Sequence, residues 1–155
     1  MKFIPQYDQM DCGPACLSMV SSHYKKKYSL QYLRENSFIT REGVSLLGIV
    51  EASQKIGFKT ISAKLTLERL ITEKELFPCI LHWNQNHFVV LKKISTNILT
   101  KKRYFHIADP AHGLIKLDEV KFKKAWISNI DKGVTLFLEP TDEFYNLTPP
   151  VEVKL

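Results

Sequence analysis

The hydrophobic periodicity of this chain changes at Gly57, and that change limits the fold more than any other feature. Before Gly57, apolar residues recur at helical spacing. Ala15, Leu17, Met19 and Val20 give one apolar face to a helix predicted from Gly13 to about Tyr24. Leu30 to Arg34 predicts a short second helix. A turn is expected around Thr40-Arg41-Glu42-Gly43. A third helix should follow, capped by Ser45 and stopped by Gly57, with Leu46, Leu47, Ile49, Val50 and Ile56 at helical spacing. After Gly57 the period shortens. KTISAKL alternates like a strand, TLERLI fits a turn or two of helix, and CILHW, HFVVLKKI, RYFHIAD and GVTLFLEP read as strands. Asp118 can cap a short helix through Ala125. Helices first and strands second predict an α+β fold with an antiparallel sheet, not alternating βαβ units.

The 155 residues suit one domain with its own core. Residues 1–140 read as that domain, and TDEFYNLTPPVEVKL (141–155), with two adjacent prolines and little periodicity, reads as a linker leaving it for something longer. Apolar content of 45% and charged content of 25% are ordinary for a soluble chain. No apolar run approaches the roughly 18 residues a membrane span needs. MKFIPQYDQ lacks the apolar region of a signal peptide, so the cytosol is the expected compartment. There the three cysteines are expected as free thiols. The net charge of +6 comes from scattered lysines, with Lys25-Lys26-Lys27 the densest group. That is not the basic, aromatic-studded stripe of a nucleic-acid binder. It suits a solvated surface, or one that favours acidic peptides or anionic lipid.

Chemistry concentrates at QYDQMDCGPACLSMV, residues 6–20. Cys12 stands just before the first helix, where free N–H groups and the helix dipole favour a thiolate. Gly13 beside it lets backbone approach a substrate. Cys16, one turn inside, and Cys79, in an apolar strand, read as core. A zinc site is not expected, because Cys12 and Cys16 have no second ligand pair of matching spacing among His82, His87, His106 and His112. A cysteine nucleophile needs a base that a third group orients. His87 opens the strand HFVVL and Asp109 closes the next long strand. Adjacent antiparallel strands would bring that start and that end together. His82 competes for the role of base, and Asp109-Pro110 also has the form of a turn.

Taken together, QYDQMDCGPACLSMV, GVSLLGIVEASQKIGF, NHFVVL and IADPA resemble the papain-like peptidase domain of bacterial peptidase-containing ABC exporters, over roughly residues 1–140. Domains of that family process bacteriocin and lantibiotic precursors at double-glycine leader sites. The resemblance implies a helical N-terminal lobe and a C-terminal antiparallel β-sheet lobe. It implies Cys12 as nucleophile, His87 as general base and later acid, Asp109 as the residue that orients the imidazole, and Gln6 with the Cys12 N–H as the oxyanion hole. Such an amide donor can be worth on the order of 3 kcal/mol in the transition state. Gln9 is a nearby alternative that the family's spacing disfavours.

The resemblance further implies cleavage after Gly-Gly or Gly-Ala, and a precursor whose leader binds as an amphipathic helix. Trp83, close before His87, is the expected wall of a glycine-selective passage. Leu47 and Val50 are expected in the leader groove. In the full-length exporter, an expected homodimer, transmembrane and ATPase domains would follow and hold this domain at the cytosolic face of the bacterial membrane, while the fragment itself should be soluble. The cut needs no cofactor or metal, and ATP would serve only the ATPase domain. Two competing functions remain at this point: a leader-docking domain that does not cut, and another papain-like enzyme, such as a transglutaminase-like or peptide-deamidating one. The stretch STNILTKKR lengthens the connection between the histidine and aspartate strands and leaves that hairpin's geometry open.

Overall fold

Helix α1 (Cys12–His23) is apolar nearly all round, and the fold buries it accordingly. In the computed structural model, which describes residues 1–7, 11–37 and 45–151, every α1 residue from Cys12 to Ser21 is buried. Its two inner serines are satisfied locally. Ser18 Oγ donates to the Tyr28 carbonyl and Ser21 Oγ to that of Leu17, both at 2.8 Å. The sequence predicts one apolar face. The structure uses the whole circumference, because α1 lies between the sheet and two further helices.

Those helices are α2 (Leu30–Glu35) and α3 (Leu46–Lys55). Ser29 Oγ accepts from the Tyr32 N–H at 3.1 Å to start α2, and Ser45 Oγ from the Gly48 N–H at 3.2 Å to start α3, as the sequence predicts for Ser45. The predicted turn at Thr40-Arg41-Glu42-Gly43 lies outside the described residues. The chain then enters β1 (Phe58–Thr66), and Thr66 Oγ1 caps α4 (Leu67–Thr72). Strands β2 (Cys79–Trp83), β3 (His87–Thr96), β4 (Arg103–Asp109) and β5 (Gly113–Asp118) follow. Asp118 Oδ1 takes the Lys121 N–H at 2.9 Å and starts α5 (Glu119–Trp126). Strands β6 (Ile127–Asn129) and β7 (Lys132–Pro140) complete an antiparallel sheet of order β1-β7-β2-β3-β4-β5, with β6 paired to β7.

Alternation along the strands divides the core between the two sheet faces. Phe88 and Val90 face Cys16, Leu17 and Val20 of α1. Val89 and Leu91 face Phe122 and Trp126 of α5. The fold is therefore α+β with a helical N-terminal part and a β-rich C-terminal part, and α4 and α5 cover the sheet's second face. β5 and β6 are strands the sequence does not announce.

Residues 141–155, read from sequence as linker, begin with a helix, α6 (Asp142–Asn146). Its Phe144 is fully buried against Phe58, with ring centroids 4.5 Å apart. Gly57 makes this possible. It has φ +99°, and a Cβ there would lie 2.4 Å from the Phe144 nitrogen.

Strand direction positions the site. β3 begins at His87 and β4 ends at Asp109, and their antiparallel register, Val90 opposite Ala108, brings the two residues to one end of the sheet. α1 packs along β3 with Cys12 at that end.

Candidate active site

The first residue of α1 is Cys12, 5% exposed. The residue before it, Asp11, occupies the capping position, yet its side chain makes no capping bond. Its buried carboxylate turns instead to Arg34, which donates from Nε to Oδ1 at 2.8 Å and from Nη2 to Oδ2 at 2.5 Å. This two-pronged pairing matches the guanidinium fork to the carboxylate. Helices α2 to α5 each begin with a side-chain cap, whereas Asp11 leaves the first-turn N–H groups of α1 to other acceptors. Cys12 thus stands at a helix N-terminus that Asp11 leaves without a side-chain cap, a setting whose positive end suits an incoming oxyanion.

His87 joins Cys12 to Asp109. Its Nε2 lies 2.7 Å from Asp109 Oδ1, and the ring also hydrogen-bonds the Cys12 thiol, which leaves Nδ1 for the sulfur. Burial opposes a charge on this ring. The hydrogen bonds to Asp109 and Cys12 outweigh burial and raise its pKa to about 9. The imidazolium is therefore the favoured form near neutrality. It is the form that pairs with a thiolate and can protonate a leaving amine. Burial would likewise raise the pKa of Asp109, which is 3% exposed. Hydrogen bonds from His87, the Ala111 N–H and His112 prevail and bring it down to about 2.

Gln6 is half-buried beside the same turn, and its backbone N–H donates to the Pro110 carbonyl at 3.0 Å. Its side-chain Oε1 is buried without a hydrogen-bond partner. An amide's oxygen and nitrogen ends are assigned from their partners, so exchanging them puts the NH₂ donor of Gln6 at this unpaired position. Gln9 lies outside the described residues.

The structure thus brings Cys12, His87 and Asp109 together and ties the Gln6 backbone to the turn after Asp109. It directs His82 elsewhere. That ring packs against Phe88 at 5.2 Å, and burial lowers its pKa. His106 bonds Ser95 Oγ at 2.8 Å. Cys16 and Cys79 are fully buried core thiols, as the sequence predicts. Burial raises both pKa values, and for Cys16 the negative charges of Cys12 and Asp109 add to the effect. Trp83, expected as a substrate wall, is opposite His87 in the β2–β3 register but is 3% exposed and packs on Phe122, 5.6 Å between ring centroids. Its indole belongs to the core under the site. Leu47 is exposed on α3 and Val50 half-buried, packed against the core around α1.

The sequence reading gave His112 no part in the site. His112 Nδ1 lies 3.0 Å from Asp109 Oδ2. The signal was the turn itself. In Asp109-Pro110-Ala111-His112-Gly113, proline in second place favours a turn that brings the fourth residue back to the first. The His112 N–H does donate to the Asp109 carbonyl at 3.1 Å.

Comparison with known proteins places this arrangement among peptidases. The profile of the peptidase C39 family matches residues 1–143. The transport/processing ATP-binding protein ComA of Streptococcus pneumoniae is 35% identical over 142 residues, which cover 90% of this chain and 19% of ComA. The colicin V secretion/processing ATP-binding protein CvaB of Escherichia coli is 33% identical over 98% of this chain and 20% of CvaB. The chain thus spans about a fifth of these curated relatives. Among solved structures, a double glycine motif protease from an AMS/PCAT transporter, crystallised with the leader peptide, superposes with a TM-score of 0.77. It is 33% identical, over 90% of this chain and 91% of that one. The peptidase domain of Streptococcus ComA gives a TM-score of 0.75 at 34% identity, over 89% and 97% of the two chains.

Proposed function

Because the chain belongs to the peptidase C39 family, we propose that it is a papain-like cysteine endopeptidase that removes the leader from bacteriocin or lantibiotic precursor peptides after a Gly-Gly or Gly-Ala pair. The observation that carries this reading is the position of His87, bonded to Asp109 through Nε2 and to the Cys12 thiol at the start of α1.

The reaction follows from that geometry. The Cys12 thiolate attacks the carbonyl carbon of the last leader residue. The oxygen takes up the negative charge against the Cys12 N–H and the Gln6 amide. The His87 imidazolium gives its Nδ1 proton to the departing nitrogen, which becomes the N-terminus of the mature peptide, and a thioester to the leader remains. His87, now neutral, takes a proton from water as the water attacks the thioester. The thiolate leaves, and the leader departs with a free carboxylate. Asp109 stays ionised throughout and holds the ring.

No cofactor or metal enters these steps. A cleft of about 630 Å³ beside α1 and α2 is lined by Lys2, Tyr7, Lys27, Tyr28 and Arg34, among others, and no carboxylate is among its described lining residues. Its charge suits acidic positions of a leader peptide. Leu47 and Val50 on α3 would meet apolar positions of an amphipathic leader helix. The relatives, about five times longer and named as transport or secretion and processing ATP-binding proteins, support attached transport and ATP-binding parts in the whole protein. Assembly as a homodimer at the cytosolic membrane face belongs to the same proposal.

The test mixes the domain with a double-glycine precursor and reads product masses, with Cys12→Ala alongside. One cut after the second small residue, absent in the variant, supports the peptidase. Binding of several leaders without cleavage under reducing conditions would leave a docking domain. A one-dalton gain without cleavage would indicate deamidation.

A further inference from the structure

Asp109 is 3% exposed, so each of its carboxylate oxygens needs a donor in place of water. Oδ1 has two: His87 at 2.7 Å and the Ala111 N–H at 2.9 Å. Oδ2 has His112 Nδ1 at 3.0 Å. The His112 side chain is 73% exposed and reaches back from the β4–β5 turn onto Oδ2. An aspartate carboxyl rotates in a broad, roughly two-fold well about its last bond. Donors on Oδ1 alone leave that rotation loosely held. A donor on Oδ2 closes it.

We propose that His112 is a positioning residue for the Cys12–His87–Asp109 array: its Nδ1–H, donated to Asp109 Oδ2, fixes the carboxylate rotation and keeps Oδ1 aligned on His87 Nε2. His112 holds the carboxylate and touches neither thiol nor peptide. Neutral imidazole can carry its proton on Nδ1, so the ring donates with or without charge. The consequence for turnover rests on the peptidase reading. The contact itself acts on the His87–Asp109 hydrogen bond whatever the reaction.

Three substitutions test it. His112→Ala removes the donor, His112→Leu removes it while keeping bulk, and His112→Asn restores an N–H close to the place of Nδ1. The proton NMR signal of the His87 ring N–H bound to Asp109 reports alignment directly. It should broaden or shift in His112→Ala and His112→Leu and return in His112→Asn. Cleavage of a double-glycine precursor should lose roughly tenfold in kcat with KM unchanged in the first two variants, since small misplacements of catalytic groups cost rate. His112→Asn should remain within about twofold of wild type. Alkylation of Cys12 by iodoacetamide should slow in parallel. An unchanged His87 signal and an unchanged alkylation rate in His112→Ala and His112→Leu would overturn the proposal. Both are read without cleavage, so a wild-type protein that fails to cut would refute the peptidase reading alone.

Discussion

The backbone N–H of Gln6 donates to the Pro110 carbonyl at 3.0 Å, so the segment leading into Cys12 is fastened to the turn that follows Asp109. The position of the proposed oxyanion donor and that of the imidazole's partner are thereby set by one short piece of chain.

Replacing Gln6 by Ala should therefore lower kcat on a double-glycine precursor by roughly 10²-fold, with little change in KM, because the donor meets charge that develops only in the transition state. The backbone bond to Pro110 survives the change, so the melting temperature should hold. Steady-state kinetics beside a thermal melt separates the two effects.

Asp109→Asn should move the alkaline limb of the pH–rate profile downward. In the wild type, Asp109 helps to hold His87 at about 9, and turnover should fall as pH rises through that value and the imidazolium loses its proton. Without the carboxylate the ring returns toward its ordinary 6.5. The same shifts predict folding stability. The raised His87 contributes fully below pH 6.5, and the contribution is lost as pH climbs through about 9. The depressed Asp109 contributes above pH 3.8, and this is lost as pH falls through about 2. Urea denaturation across pH should show a stability plateau between about 4 and 6.5 that Asp109→Asn flattens.

Arg34→Met should destabilise the fold by on the order of 2–3 kcal/mol, because it strands the Asp11 carboxylate, 1% exposed, without its fork. The cost falls below that of a wholly buried pair because the Arg34 side chain is 41% exposed. Arg34→Lys should recover only part of it, since an ammonium cannot meet both oxygens as the guanidinium does. The urea midpoint measures both.

Phe144→Ala should cost about 3 kcal/mol through the cavity it leaves. Gly57→Ala should also destabilise, since its Cβ would overlap the Phe144 backbone and its φ of +99° disfavours a side chain. A double-mutant cycle on denaturation midpoints should show coupling between the two sites.

Much of the site could be read from the sequence because local chemistry specified it. Cys12 precedes an apolar run, His87 opens an alternating strand and Asp109 closes another, and antiparallel pairing does the rest. Ser45 and Asp118 each marked a helix start with one side chain. β5 was hidden because Leu114, Ile115 and Leu117 break a clean alternation: Leu114 is 61% exposed while Ile115 and Leu117 pack on the core. α6 was hidden because a single aromatic, Phe144, anchors it, and one residue makes no period. The burial of Trp83 depended on α5, which is distant in sequence. His112 escaped because its role lies in a turn's return to its own first residue and not in any periodic pattern.

The Lys26 ammonium donates to the carbonyl oxygens of Tyr145 and Leu147, both at 3.1 Å, and Phe144 meets the Tyr24 ring. The last helix is thus latched to the end of α1 farthest from Cys12. A twelve-residue helix is a stiff rod about 18 Å long. Tension applied to the chain beyond Leu147 would load the far end of the rod whose tip carries the proposed nucleophile, so this latch joins Cys12 and the segment after α6 in one mechanical linkage.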